Sequence, residues 1–170
     1  AKKDPMAFRL EMLTKDSDTK QILNKLKEVS NWDKKLPAGW GRGVAHYEFF
    51  AGQAGFVIEV SKKGTGIKIE KVYAVIDLGT VVNPDNTKAQ VEGAVLMALS
   101  AAIHPAITLK NGVVEQKNFD TTPVTRMSEA PEVIVEIITE GAKIKGVGEP
   151  GLPPFAPALG NAIFALTNKR

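Results

Sequence analysis

Residues 145–163 read Lys-Gly-Val-Gly-Glu-Pro-Gly-Leu-Pro-Pro-Phe-Ala-Pro-Ala-Leu-Gly-Asn-Ala-Ile, and they hold one carboxylate, Glu149, where glycine and proline control the backbone. Proline fixes φ and removes a donor, so the loop is stiff. Glycine lets a backbone approach a ligand closely or take a positive φ. A lone acid on a stiff loop ahead of an apolar helix has the makings of a general base. The same acid also suits a solvated charge at a helix terminus. The local pattern leaves both readings open. Gly146 and Gly148 either bring backbone amides to an anionic ligand, as glycine loops do, or serve only the turn. Gln90 carries an amide that both donates and accepts, and it also reads as an ordinary exposed helix residue. Asp77, just before Gly79, reads as a turn-fixing acid, and Glu92 as a locally paired helix acid. His46 and His104 have no partner at metal-ligand spacing. There is no P-loop, no Gly-x-Gly-x-x-Gly after a strand and no Ser-His-Asp order.

Three segments carry a resemblance. Residues 146–150, Gly-Val-Gly-Glu-Pro, resemble the C-terminal active-site loop of the molybdenum hydroxylases, the xanthine dehydrogenase and aldehyde oxidase family. In that family the glutamate of this motif acts as base at the molybdenum centre. Val75-Ile-Asp-Leu-Gly-Thr-Val-Val-Asn-Pro84 followed by Ala89-Gln-Val-Glu-Gly-Ala94 resembles the family's strand, Asn-Pro turn and glutamine-bearing helix. Pro123-Val-Thr-Arg-Met-Ser-Glu-Ala-Pro131 is similar to the isoquinoline 1-oxidoreductase β-subunit branch. The matches run from about Gly39 to the C-terminus. The resemblance implies Glu149 as the catalytic base, with Gln90, Gly146 and Gly148 at a molybdopterin dinucleotide, the cytosine form being usual in bacteria. It implies hydroxylation of an aldehyde or N-heteroaromatic carbon with water as oxygen source. It implies two partners: the remainder of a much longer molybdopterin subunit and a chain carrying [2Fe–2S] clusters.

These residues need elements to position them. Asp4-Pro5 and Ser17-Asp18 predict helix starts, with Ile22, Leu23, Leu26 and Val29 at helical spacing. Leu36-Pro37-Ala38-Gly39 reads as a linker, dividing a helical arm (1–38) from the cofactor-binding unit (39–170). Strands are predicted over Val44–Phe50, Gly55–Ser61 and a long run containing Ile67, Ile69, Val72, Ala74 and Ile76, irregular near Lys71. Ala51–Gly55 reads as a turn or bulge, and Lys62–Gly66 as a hairpin turn with positive φ available at both glycines. Asn83-Pro84 starts a helix that runs to about Ile103 and ends at His104-Pro105. A hairpin around Lys110-Asn111-Gly112, a strand over Glu132–Thr139 and a final helix over Phe155–Leu166 follow. That last helix is apolar almost all round and is expected to be buried. The class is α+β, with helices packed on a mixed sheet.

Composition limits the alternatives. The 170 residues are 44% hydrophobic and 24% charged, ordinary for one globular domain. A net charge of +3 with scattered lysines, and no arginine cluster interleaved with aromatics, argues against nucleic-acid binding. No run approaches the ~18 apolar residues of a membrane span. With no cysteine, the chain carries no disulfide, thiolate zinc site, cysteine nucleophile or iron–sulfur cluster. It starts at Ala1 rather than Met, which reads as a fragment, a processed product or one piece of a split subunit. Cytoplasm and periplasm both remain open. The chain can present Glu149 and Gln90 but lacks the family's other cofactor-holding loops, so it is expected to be inactive alone. The alternative is a non-catalytic assembly domain of the same ancestry.

Overall fold

Two capped helices open the chain. The Asp4 carboxylate accepts from the amides of Met6 and Ala7 at the start of α1 (Pro5–Met12). The Ser17 hydroxyl accepts from Lys20 at the start of α2 (Asp18–Val29). Such caps satisfy amides that a first helical turn leaves orphaned. The computed structural model describes residues 2–49, 52–104, 106–139 and 143–170.

Three strands follow as an antiparallel meander, β1 (Trp40–Phe49), β2 (Gly52–Lys63) and β3 (Gly66–Asp77). Then come α3 (Pro84–Ile103), a short hairpin of β4 (Leu109–Lys110) and β5 (Val113–Val114), β6 (Glu132–Ile138) and α4 (Phe155–Thr167). β6 pairs with β3 in parallel, so the sheet is mixed, in the order β1-β2-β3-β6. The predicted mixed sheet with packed helices is therefore observed, with helices on both faces.

Strand alternation builds two cores. Ala54, Phe56, Ile58 and Val60 of β2, with Val72, Ala74 and Ile76 of β3, face α3 and α4. Val57, Tyr73 and Val75 point the other way, onto Met6, Ile22, Leu23 and Leu26 of α1 and α2. A strand covered on both faces needs a nearly continuous apolar run, which β2 supplies. Glycine sets how close the helices come. A Cβ at Gly43 would lie 2.2 Å from the Ala162 amide nitrogen, so α4 crosses β1 almost backbone to backbone.

Several sequence expectations are corrected. Gly52–Gly55 belongs to β2, Gly52 pairing with β1 and residues 53–55 with both neighbours, while Phe50 and Ala51, the rest of the expected strand end and turn, lie outside the described residues. β1 starts at Trp40, four residues early, because glycines at 41 and 43 serve packing rather than a loop. The β2–β3 turn is Gly64-Thr65, and of the two expected glycines only Gly64, inside the turn, takes a positive φ, 57°, while Gly66 opens β3. α4 buries one face only, through Phe155, Ala158, Leu159 and Ala162, while Phe164 is 39% exposed. The irregularity near Lys71 is a bulge: Glu59 faces Lys71 and Val60 faces Ile69, leaving Glu70 as the extra residue.

One buried ion pair locks β1 to β2. Arg42 and Glu59 are direct cross-strand partners, at 2.6 Å with side chains 8% and 7% exposed. Arg42 Nη1 also donates to the Trp32 carbonyl at 2.7 Å, closing the end of α2 over the sheet. Removing one partner leaves an uncompensated buried charge. Glu59→Ala is therefore expected to cost about 3–5 kcal/mol, read as a lowered midpoint in urea unfolding of the chain.

Candidate functional site

The two parallel strands end together, Asp77 of β3 opposite Ile138 of β6. The chain leaves β3 through 78–83 into the N-terminus of α3. Ligands in sheets with parallel strands gather where such carboxyl ends meet helix starts. α3 begins as predicted, with the Asn83 side chain accepting from the Asn86 amide and Pro84 in the first turn. Gln90 lies two turns in, exposed on the helix surface.

The loop bearing Glu149 returns to this same end. Gly79 and Ile144 form an antiparallel bridge, and the Lys145 amide donates to the Leu78 carbonyl at 3.0 Å. Gly79 has φ +65°, and a Cβ there would sit 1.9 Å from the Lys143 carbonyl oxygen, so no other residue fits. Lys145 Nζ donates to Asp77 Oδ2 at 2.7 Å, with side chains 14% and 6% exposed. Asp77 Oδ1 accepts from the Gly79 amide at 2.9 Å, so the predicted turn-fixing role is observed and an ion pair is added to it.

Beyond Lys145 the loop alternates. Val147 packs on the core, while Gly146, Gly148 and Glu149 are exposed. Gln90 Nε2 donates to the Gly148 carbonyl at 3.0 Å. The Leu152 amide closes a turn onto the Glu149 carbonyl at 3.0 Å. Gly151 then lies against α3, where a Cβ would be 2.7 Å from Ala94 Cβ and 2.8 Å from the Val91 carbonyl. Glu149 is thus flanked on both sides by fixed backbone. A groove of about 380 Å³ runs beside it, lined by Val81, Val82, Asn86, Gln90, Ile144 and Lys145 among others; Glu149 itself does not line it.

The structure brings Glu149, Gln90, Gly146 and Gly148 into one neighbourhood. It does not bring the 123–131 segment there. Thr125 meets Ser100 near the far end of α3, its amide donating to the hydroxyl at 2.9 Å. Ten residues separate Ser100 from Gln90, about 15 Å of helix. His46 bonds Gln53, and His104 caps the C-terminus of α3, so the histidines take no part in this site. Glu92 is exposed on α3. Sequence reasoning missed Lys145 and Gly151. A lysine whose partner lies 68 residues away has no local sequence signature, whereas the glycine after Glu149-Pro150 did offer a cue as a close-packing position.

Gly146 and Gly148 can be tested against the turn reading. Neither has a positive φ, and a Cβ at either would meet nothing within 4 Å. Among the described residues, no amide from 146 to 149 donates a hydrogen bond. Unspent amides in a glycine-containing loop beside the Gln90 side chain suit an anionic group such as a pterin phosphate. The residues present therefore fit such a cofactor.

The fold and this site define an α+β ligand-binding domain. The molybdopterin cofactor-binding domain family matches residues 8–131, most of the chain, and the chain belongs to that family. Glu149 lies beyond the matched residues. The chain is 33% identical to a membrane-bound, pyrroloquinoline-quinone aldehyde dehydrogenase of Gluconacetobacter polyoxogenes, over 96% of the chain and 24% of that protein. It is 30% identical to the isoquinoline 1-oxidoreductase β subunit of Brevundimonas diminuta, over 98% of the chain and 22% of that protein. The chain thus spans under a quarter of the length of these relatives. Its fold is similar to aldehyde oxidoreductase from Desulfovibrio gigas, with TM-score 0.59 at 18% identity over 70% of the chain and 14% of that structure. Quinoline 2-oxidoreductase from Pseudomonas putida 86 is similar to the same degree, with TM-score 0.59 at 17% identity over 69% of the chain and 16% of that structure. No helix among the described residues is long and apolar enough to cross a membrane.

The glycines give a contrast that urea unfolding reads directly. Gly146→Ala and Gly148→Ala are expected to leave the chain's stability within about 0.5 kcal/mol. Gly151→Ala, which overpacks α3, is expected to cost about 1–3 kcal/mol.

Proposed function

We propose that this chain is the C-terminal cofactor-binding and base-bearing portion of a molybdenum hydroxylase subunit of isoquinoline 1-oxidoreductase β type. Glu149 is the base, and Gln90, Gly146 and Gly148 are cofactor contacts. The bond from Gln90 to Gly148, 3.0 Å across 58 residues of sequence, carries this reading. It joins the two family-like motifs at one place, beside the acid.

When bound, a molybdopterin dinucleotide, in this reading the cytosine form, supplies two-electron oxidation of an aldehyde or N-heteroaromatic carbon with water as oxygen source. A Glu149 carboxylate oxygen takes the proton of the water-derived nucleophile as it attacks, which raises its nucleophilicity. Gln90 has Nε2 committed to Gly148, and its Oε1 is left as an acceptor for a donor on the cofactor. The amides of 146–148 would donate to its anionic oxygens. Glu149 is exposed, so residues outside this chain must close over it to exclude water. In the same reading, residues 39–170 form the cofactor-binding unit and the helices of 1–38 cover the opposite sheet face. A partner chain carries the [2Fe–2S] clusters that take electrons onward.

A second reading is a non-catalytic assembly domain of the same ancestry. Exposed apolar side chains favour it, among them Leu109 at 70%, Phe119 at 76% and Met127 at 87%. One relative's name includes pyrroloquinoline quinone, so metal and pterin content of the complete enzyme also discriminates between cofactors.

Glu149→Gln in the complete enzyme is expected to lower kcat by about 10²–10⁴-fold with molybdenum and pterin content unchanged. Unchanged turnover favours the assembly reading. Gly146→Ala with Gly148→Ala is expected to lower pterin content. The isolated chain is expected to show no aldehyde turnover.

A further inference from the structure

The Lys145–Asp77 ion pair joins residues 68 apart in sequence, and it is nearly buried on both sides. Nothing in the sheet requires it. β3 is already held by β2 along its length and by β6 from Lys71 to Asp77. The hydrogen bond from the Gly79 amide to Asp77 Oδ1 needs only an acceptor, which an asparagine also provides. What the charge adds is a second hold on the loop, on its side chain, beside the Lys145 amide bond to Leu78. A charge-assisted bond is roughly twice as strong as a neutral one, and burial restricts its direction.

Lys145 stands four residues before Glu149. The intervening stretch contains two glycines with no neighbours around a Cβ position, so its backbone has little steric guidance of its own. Its remaining holds are Val147 on the core and Gln90 on the Gly148 carbonyl. On its far side Glu149 is held by Gly151 against α3 and by the Leu152 amide, so it is the approach from residue 145 to residue 148 that the pin at Lys145 directs.

We propose that Lys145 and Asp77 are positioning residues that set the placement of the Glu149 carboxylate. This rests on the reading of Glu149 as the base. The pair touches neither substrate nor cofactor in this proposal. It acts through the loop, so it governs the rate of the chemical step rather than substrate binding.

Two experiments test it. In the complete enzyme, Asp77→Asn keeps the acceptor for Gly79 and removes the charge. Its kcat is expected to fall about tenfold to a hundredfold, as small misplacements of a reacting group do, with KM and molybdenum content near wild type. Lys145→Met is expected to do the same, and Lys145→Arg, which keeps the cation, to restore most of kcat. In the isolated chain, trypsin is expected to cut the Lys145–Gly146 bond at least about tenfold faster in Asp77→Asn than in wild type, since local release of a held loop governs cleavage there. This arm does not depend on what Glu149 does. Wild-type kcat in Asp77→Asn, where Glu149→Gln abolishes turnover, overturns the positioning role and leaves the base intact. Full turnover in Glu149→Gln overturns the base itself, and the tryptic result then reports only whether the pair holds the loop. Loss of kcat in Lys145→Arg equal to that in Lys145→Met also counts against the proposal.

Discussion

Parallel strands cannot be joined by a tight turn, so placing β6 beside β3 commits the chain to a long crossover through α3. It also sends both strands out of the sheet at one end. The connection from β3 into α3 and the loop after β6 then have to share that end, and the bridge between Gly79 and Ile144 continues the meeting of the strands into the loops. With β6 antiparallel, residues 143–151 would leave from the opposite end, away from Gln90. The site follows from the direction of one short strand.

That strand can occupy its place because the sheet is roofed on both sides. α3 and α4 bury one face and α1 and α2 the other, and the glycines at 41, 43 and 55 let helices settle at distances a methyl group would forbid. The rigid frame stops at the site. Pro150, Gly151 and Phe155 are buried, while Gly146, Gly148 and Glu149 immediately before them are exposed. A stiff, well-packed platform carries a short open loop, which is how a scaffold usually presents reactive groups.

Local signals were read well from the sequence. The Asn83-Pro84 helix start and the turn at Asn111-Gly112, with φ of 52° and 78°, rest on adjacent residues with a fixed steric preference, and the irregularity beside Lys71 on a break in apolar alternation between Ile69 and Val72. Features that depend on a distant partner were not legible. Gly52–Gly55 resembles a turn because glycine is also the commonest chain punctuation, yet Gly55 is small to admit Ile22 and Leu26 from α2. The all-round apolarity of α4 suggested burial, but one face has no cover among the described residues. The site was legible only in part: Glu149 and Gln90 stood out through motif resemblance, whereas the pairing of Asp77 with Lys145 had no local cue.

The spans of these contacts also order events in time. The β2–β3 turn closes over two residues, whereas the bonds to Gly148 and Lys145 close loops of 58 and 68. Chain entropy penalises the longer closures and rewards them only once the meander and its helices exist. The end where β3 and β6 leave the sheet is accordingly expected to assemble after the meander, its loop latching only once the frame that receives it stands.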